Sequence, residues 1–315
     1  MTLAISENKS LKKSLDRLKD NVSAVVVISP QKLDLLVAAM LAKGHVLLED
    51  VPGLGKTMLA KALAWSMTGR FRRIQCTPDL LPADVTGGSI YDQREQRFEF
   101  MPGPVFGNIV LVDEINRASP RTQSSLLESM AEGQVTAEGQ TYDLPNPFLI
   151  IATQNPVEMA GTFPLPEAQM DRFLISLSLG YPSFADEVAI LENEAHGEPL
   201  DKIEATISTE EILALQDQVR QTAVSRPVQE YMIRIVQATR THPDIMLGIS
   251  PRGAVALQKM CQGMAFLADR SFVTPDDVKS AVEAVFSHRL VTRGRGKQTA
   301  DDVLTEILES IAVPL

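Results

Sequence analysis

A nine-residue segment, Glu49–Thr57, constrains the fold of this chain more than any other feature of its sequence. It reads Glu-Asp-Val-Pro-Gly-Leu-Gly-Lys-Thr and lies between an apolar run, His45–Glu49, and a stretch of helical periodicity, Thr57–Met67. A glycine-rich loop that follows a strand and opens a helix is typical of α/β folds. The segment therefore predicts an α/β domain with this loop at the junction of a strand and a helix.

The same segment has the pattern of a phosphate-binding loop. Gly53 and Gly55 allow backbone N–H groups to face a phosphate, and the helix N-terminus adds the positive end of its dipole. We expect Lys56 to reach the β- and γ-phosphate oxygens of ATP and Thr57 to offer its hydroxyl to Mg²⁺. The predicted nucleotide-binding residues are Pro52, Gly53, Leu54, Gly55, Lys56, Thr57 and Met58. Asp50 stands where the strict pattern GxxxxGK[ST] has its first glycine, so the entry to the loop differs from that pattern.

Short apolar runs alternate with amphipathic stretches from residue 44 to about residue 180, which predicts a sheet flanked by helices. Near-continuous apolar runs are typical of parallel strands buried on both faces. The predicted strands are His45–Glu49, Arg72–Cys76, Asn108–Asp113, Phe148–Thr153 and Phe173–Leu179. Two further segments, Gly87–Phe100 and Gln134–Leu144, have the pattern of β-hairpins, and Pro120–Glu132 is predicted to be a helix capped by Ser119.

The pattern changes after Pro182, because the rest of the chain has helical periodicity. We therefore predict an N-terminal surface helix or extension over residues 1–22 and a nucleotide-binding α/β domain over 23–182. A linker over 183–200 and a smaller all-helical domain over 201–315 follow. The helices predicted after Pro182 are Glu187–Glu194, Thr209–Thr222, Val228–His242, Pro251–Asp269, Thr274–Arg289 and Ala300–Ile311.

Acidic and amide side chains follow two of the predicted strands. Asp113 and Glu114 end the strand Asn108–Asp113, where a carboxylate can hold Mg²⁺ through water and its neighbour can polarise the attacking water as a general base. A strand that ends in a solvated acidic turn is the alternative. Asn155 follows the next strand and can orient the lytic water, although an asparagine before Pro156 is also common in turns.

Two arginines are candidates for stabilising charge on the γ-phosphate. Arg172 lies in Glu-Ala-Gln-Met-Asp-Arg-Phe, and Arg252 follows Ser250-Pro251 in the first turn of a predicted helix. A cation in that turn opposes the helix dipole, so a nearby anion would explain it. Ser119-Pro120-Arg121 has the same local form, and a surface salt bridge is the alternative for each arginine.

Composition excludes several classes of protein. No apolar stretch has the roughly 18 residues of a membrane span, and the N-terminus lacks the pattern of a signal peptide, so we expect a cytoplasmic protein. A formal net charge of −10 disfavours indiscriminate binding to nucleic acid. The two cysteines, Cys76 and Cys261, and the four histidines have no metal-ligand spacing.

Four motifs together resemble the MoxR family of AAA+ ATPases over residues 22–290. They are EDVPGLGKT, VDEINRASPRTQSSLLESMAEGQVT, ATQNPVEMAGTFPLPEAQMDRF and SPRGAVAL. The resemblance implies a AAA+ P-loop core with a helical lid, assembled as a homo-hexameric ring with ATP and Mg²⁺ between subunits. It also implies that Asn155 is sensor 1, that Arg172 is an arginine finger acting on a neighbouring subunit, and that Arg252 is sensor 2. The two hairpins resemble elements that face the pore in relatives.

The function implied by this resemblance is chaperone-like remodelling or maturation of client proteins, such as insertion of a metal cofactor. A separate protein with a von Willebrand factor A domain is the implied partner. Residues 27–30 read Val-Ile-Ser-Pro where family members often carry a Gly-Gln pair, which leaves the adenine contacts open. A magnesium-chelatase-like ATPase subunit, a DNA-translocating motor and a scaffold that binds ATP without turnover are the alternatives.

Overall fold

The computed structural model describes residues 2–51, 53–137, 139–155, 161–194, 199–293 and 299–314. Its strands are β1 (Val46–Glu49), β2 (Phe71–Gln75), β3 (Gly87–Asp92), β4 (Arg97–Pro102), β5 (Ile109–Asp113), β6 (Gln134–Ala137), β7 (Gln140–Asp143), β8 (Leu149–Gln154), β9 (Ile175–Leu177), β10 (Ile245–Leu247) and β11 (Val291–Thr292). Each of the five predicted sheet strands is present, with ends shifted by one or two residues.

Helices account for most of the remaining described chain. They are α1 (Thr2–Val25), α2 (Pro30–Leu41), α3 (Lys56–Trp65), α4 (Pro82–Thr86), α5 (Pro120–Glu132), α6 (Glu167–Met170), α7 (Phe184–Glu194), α8 (Thr209–Arg220), α9 (Arg226–Thr241), α10 (Pro251–Leu267), α11 (Pro275–Phe286) and α12 (Ala300–Ser310). The bounds of α5 are those predicted, because Ser119 accepts a hydrogen bond from the backbone N–H of Thr122 and Pro120 occupies the first turn.

The chain divides into two compact units, of which the first comprises residues 1–29, 47–165 and 178–214. Four of the five strands of the central sheet lie mainly in this unit, in the order β2-β5-β8-β1, with β2, β5 and β8 paired in parallel. Strand β5 is buried along its whole length, as its apolar sequence predicts for a strand covered by helices on both faces. The predicted hairpins are both present, as the antiparallel pairs β3–β4 and β6–β7.

Helix α1 contributes to the core of the first unit. Leu11, Leu15, Leu18 and Val22 are buried on one face of the helix, which packs against α3. Asn21 donates its side-chain amide to the carbonyl of Glu204 at 3.0 Å. The N-terminal helix predicted as a surface element is therefore amphipathic, with one face in the core and the other exposed.

The second unit comprises residues 30–46, 166–177 and 215–315. Helix α10 is central to it and packs against α2, α9 and α11. The approach of α10 to α2 is close, because a Cβ at Gly263 would lie 2.8 Å from the carbonyl oxygen of Ala38. Segments 30–46 and 166–177 thus group with the C-terminal helices, whereas the predicted division placed them in the α/β domain. The predicted domain boundaries stay a prediction.

Candidate functional site

The candidate site lies where three neighbouring strands of the first unit end. The loop Gly53–Gly55 follows β1, the acidic pair Asp113-Glu114 ends and follows β5, and Asn155 follows β8, which lies between the other two in the sheet. Carboxyl ends of adjacent parallel strands form a crevice at one edge of the sheet, and ligands of α/β folds bind there. One pocket is accordingly lined by Gly53, Gly55, Lys56, Thr57, Met58, Arg73, Gln75, Asp113, Glu114, Thr153 and Asn155.

The glycines of the loop have backbone conformations that other residues adopt only with strain. Gly53 has φ 90° and Gly55 has φ 77° and ψ 13°, so both lie in the left-handed region. Gly55 is the N-cap of α3 and supplies no side-chain hydrogen bond to the helix. The first N–H groups of α3 therefore remain available to an anion. Leu54 belongs to this loop but does not line the pocket, and Pro52 lies outside the described residues.

Lys56 is the first residue of α3 and lies close to three carboxylates. Its Nζ donates to the backbone carbonyl of Asp50 at 2.8 Å. Partial burial lowers the pKa of Lys56, while the negative charges of Asp50, Asp113 and Glu114 act in the opposite direction. The ammonium group is thus partly desolvated, which strengthens its attraction for an anion in the pocket.

Asp50 fixes the entry to the loop with its side chain. The buried carboxylate accepts hydrogen bonds from Ser178 Oγ at 2.7 Å, from the backbone N–H of Leu179 at 2.7 Å and from that of Gly180 at 3.2 Å. The residue that departs from the strict loop pattern therefore connects the end of β1 to the segment 178–180.

Asp113 and Glu114 are both engaged by neighbouring side chains. Arg73 Nε donates to Asp113 Oδ2 at 2.7 Å, and Thr153 Oγ1 lies 3.4 Å from Asp113 Oδ1. Glu114 Oε2 accepts hydrogen bonds from Arg117 Nη1 at 3.0 Å and from Gln75 Nε2 at 3.2 Å. Both carboxylates line the same pocket as Lys56.

The backbone of Glu114 is strained. Its φ of 56° and ψ of 51° lie in the left-handed region, which costs a non-glycine residue about 1–2 kcal/mol. The backbone N–H of Glu114 donates to Thr153 Oγ1 at 2.9 Å, so β8 holds the turn in place. Strain of this kind concentrates at functional sites, where it directs a side chain to a required position.

Asn155 is buried, with 7% of its surface exposed, and it lines the pocket. Asn116 contributes its side-chain amide to the carbonyl of Asn155 at 3.4 Å. The structure therefore brings Asn155 together with the loop and the acidic pair, as the sequence predicts.

Arg172 and Arg252 belong to the second unit and do not line this pocket. Arg252 lies in the first turn of α10, where Ser250 caps the helix by accepting from the backbone N–H of Gly253 at 3.1 Å. Asp171, next to Arg172, accepts hydrogen bonds from Ser250 Oγ at 3.2 Å and from Arg289 Nε at 2.8 Å. The segment that carries Arg172 is thereby tied to the N-terminus of the helix that carries Arg252.

Three residues that line the pocket, Arg73, Gln75 and Thr153, were absent from the sequence prediction. The supporting role of the Asp50 carboxylate at the entry to the loop was not predicted either. Arg73 and Gln75 alternate along β2 and therefore lie on one face of that strand, which is a visible signal. The neighbour of β2 is β5, which comes later in the chain, and only the fold reveals that pairing.

Among the described residues, no helix has the length and apolar character needed to cross a membrane. The two cysteines are free thiols, and both are buried.

Comparison with known proteins places these features in one family. Residues 45–175 match the family model of ATPases associated with various cellular activities (AAA), and residues 237–307 match the AAA lid domain. The protein YeaC of Bacillus subtilis, described as uncharacterized, is 48% identical over 304 residues, covering 96% of this chain and 95% of its own. Chaperone MoxR1 of Mycobacterium tuberculosis is 37% identical over 313 residues, covering 96% of this chain and 82% of its own.

A crystal structure from Cytophaga hutchinsonii, titled as that of a candidate ATPase, has the same fold. It superposes with a TM-score of 0.92 at 34% sequence identity, covering 100% of this chain and 99% of its own. The parallel sheet flanked by helices and the lid domain are thus those of AAA proteins, and this chain belongs to the MoxR family of AAA+ ATPases.

Proposed function

We propose that this protein hydrolyses ATP with Mg²⁺ in the pocket at the carboxyl ends of β1, β8 and β5. The observation that carries this proposal is the convergence of Lys56, Thr57, Asp113, Glu114 and Asn155 on one pocket. These are the groups that phosphoryl transfer to water needs: a cation for the phosphates, oxygen ligands for a divalent metal, a base and a polar side chain for the attacking water.

The residues of the pocket fit a magnesium ion. Thr57 offers a hydroxyl oxygen and Asp113 a carboxylate oxygen, and Mg²⁺ prefers such hard ligands in small number, completed by water and phosphate oxygens. When bound, the ion neutralises charge on the β- and γ-phosphates.

Each side chain has a distinct role in the proposed reaction. Lys56 leaves the carbonyl of Asp50 and binds the phosphate oxygens, while the N–H groups of Gly53, Gly55 and the first turn of α3 surround the phosphates. Glu114 accepts a proton from the attacking water, and Asn155 orients that water with its neutral amide. Glu114 is positioned for this role by its left-handed backbone conformation.

The proposed site is completed by a second copy of the chain. Charge that develops on the γ-phosphate calls for an arginine, and we assign this role to Arg172 of a neighbouring subunit in a hexameric ring. Arg252 is the proposed sensor 2. The anchoring of Asp171 by Ser250 and Arg289 supports this proposal, because it fixes the Arg172 segment within the second unit of its own chain.

The proposed use of ATP turnover is remodelling or maturation of client proteins in the cytoplasm, including insertion of a metal cofactor, together with a separate protein that carries a von Willebrand factor A domain. The name of the mycobacterial relative, Chaperone MoxR1, supports this direction. A ring of Glu114→Gln subunits in ATP is expected to retain its client, and identification of the retained protein tests this part of the proposal. Retention that is equal with and without ATP would contradict it.

Mixed oligomers test the shared site. Lys56→Ala subunits lack the phosphate ligand and Arg172→Ala subunits lack the proposed finger, so each is expected to be inactive alone. Mixing the two lets an intact Lys56 meet an intact Arg172 across a subunit boundary, and ATP turnover is expected to recover in part. Turnover that stays absent in rings shown to contain both variants would contradict the action of Arg172 on a neighbouring subunit.

A further inference from the structure

Two polar residues of strand β2, Arg73 and Gln75, form what we call the β2 pair. Both lie on the same face of the strand and both line the candidate nucleotide pocket. Neither belongs to the phosphate-binding loop or to the acidic segment after β5. Strand β2 pairs with β5 so that Gln75 is opposite Asp113, which places the β2 pair beside the acidic residues.

The β2 pair connects the two acidic side chains through consecutive hydrogen bonds. Arg73 Nε donates to Asp113 Oδ2 at 2.7 Å, and Arg73 Nη2 donates to Gln75 Oε1 at 3.0 Å. Gln75 Nε2 then donates to Glu114 Oε2 at 3.2 Å. Arg73 holds the amide oxygen of Gln75, so the amide nitrogen of Gln75 is directed toward Glu114.

The ion pair between Arg73 and Asp113 involves the carboxylate that the proposed function assigns to Mg²⁺. The Asp113 side chain is 10% exposed and that of Arg73 is 50% exposed, so the acid is fixed in the interior while the guanidinium can move toward solvent. A divalent ion that approaches Asp113 meets a positive charge already in contact with the same carboxylate. Like charges at this separation repel each other, and partial burial reduces the screening of that repulsion.

We propose that Arg73 is a positioning residue that competes with Mg²⁺ for Asp113 and so sets the magnesium concentration at which the site is loaded. Displacement of Arg73 from Asp113 also removes the donor that orients Gln75, and Glu114 then loses the hydrogen bond from the Gln75 amide. Loading of the metal and release of the general base are thereby coupled through β2. This inference rests on the proposed function, because it assumes that Asp113 takes part in magnesium binding.

Binding of a fluorescent ATP analogue to the full-length protein, titrated with Mg²⁺, tests the inference without any measurement of turnover. Arg73→Ala is expected to lower, by about two- to fivefold, the Mg²⁺ concentration at which the effect of Mg²⁺ on analogue binding is half-maximal. This is the range that the coupling energy of a partly exposed ion pair implies. For the same variant, the dissociation constant of the analogue in EDTA divided by that in Mg²⁺ is expected to be larger than for the wild type. Arg73→Lys keeps a cation at this position and is expected to restore the wild-type magnesium dependence.

Arg72→Ala is the matched control, because Arg72 precedes Arg73 on the same strand, carries the same charge and points to the other face, next to Gly107. Its magnesium dependence is expected to equal that of the wild type. If thermal unfolding shows that Arg73→Ala destabilises the fold, the titration is repeated with Arg73→Gln, whose neutral side chain is longer than that of alanine.

The outcomes separate the inference from the function on which it rests. A wild-type protein that binds the analogue with Mg²⁺, together with an Arg73→Ala protein whose magnesium requirement is unchanged or higher, would overturn the inference alone. A wild-type protein that does not bind the analogue at any Mg²⁺ concentration would overturn the proposed function.

Discussion

Replacement of Asp50 by asparagine removes a charge from the entry of the phosphate-binding loop while preserving the shape of the side chain. Asp50 is 4% exposed, and its carboxylate accepts three hydrogen bonds, two of them from backbone N–H groups. An asparagine oxygen can accept at most two of the three, and its NH₂ group would face the remaining donor. One part-buried backbone N–H then loses this acceptor, at a cost of about 1–3 kcal/mol.

The loss of charge weakens the bonds that remain, because hydrogen bonds to ionised groups are roughly twice as strong as neutral ones. We therefore expect Asp50→Asn to lower the free energy of unfolding by about 2–4 kcal/mol. A loss of 1 kcal/mol lowers Tm by about 2–4 °C in domains of 150–250 residues, so thermal unfolding followed by circular dichroism can resolve the effect. Ser178→Ala removes only one of the three donors and is expected to cost less.

Asp92→Asn is a suitable control, because Asp92 accepts backbone hydrogen bonds in the exposed turn of the β3–β4 hairpin, where water can replace them. Its Tm is expected to stay close to that of the wild type. An Asp50→Asn protein as stable as this control, or more stable than Ser178→Ala, would refute the claim that the carboxylate holds segment 178–180.

Two further predictions concern the pocket and the thiol next to it. Lys56→Ala is expected to weaken ATP binding about ten- to hundredfold, the effect of losing a charge-assisted contact, whereas Lys61→Ala on the same helix is expected to bind as the wild type in the same titration. Burial, reinforced by the charges of Asp113 and Glu114, raises the pKa of Cys76 to about 12, so the native thiol is protonated at pH 8 and is expected to react with a thiol reagent far more slowly than in denaturant. Because the pKa of the Cys76 thiol is raised in the folded state, the thiol contributes to the stability of the fold below its ordinary pKa, and this contribution is lost as the pH rises toward 12. Labelling of the native protein at the rate of the unfolded chain would contradict the burial of Cys76.

Local patterns in the sequence were sufficient to predict most elements of the fold. Helix α5 has the predicted bounds because its capping serine, its first-turn proline and the glycine at its end are all local signals. The loop Gly53–Gly55 was recognisable for the same reason, since its glycines occupy left-handed conformations that the motif requires. Helix α2 was not predicted, because it is buried for most of its length and its sequence lacks the polar face by which helical periodicity is detected.

Contacts between distant segments could not be read in the same way. The apolar stripe of α1 is visible at positions 11, 15, 18 and 22, but the sequence does not say that α3 covers it. Likewise, the role of Asp50 depends on residues 178–180, more than a hundred positions away. The pairing of Arg73 with Asp113 depends on the order of strands in the sheet, which a single sequence does not specify.

The most direct test of the account compares the release of phosphate from ATP by the wild type and by Glu114→Gln, in Mg²⁺ and under conditions in which the protein forms its oligomer. Loss of a general base is expected to reduce turnover by about 10²–10⁴-fold. The glutamine retains the shape of the side chain, so the dissociation constant for ATP is expected to stay near the wild-type value. A wild-type oligomer that releases no phosphate, or a Glu114→Gln protein that turns over ATP at the wild-type rate, would contradict the assignment of this pocket as an ATPase site with Glu114 as its base.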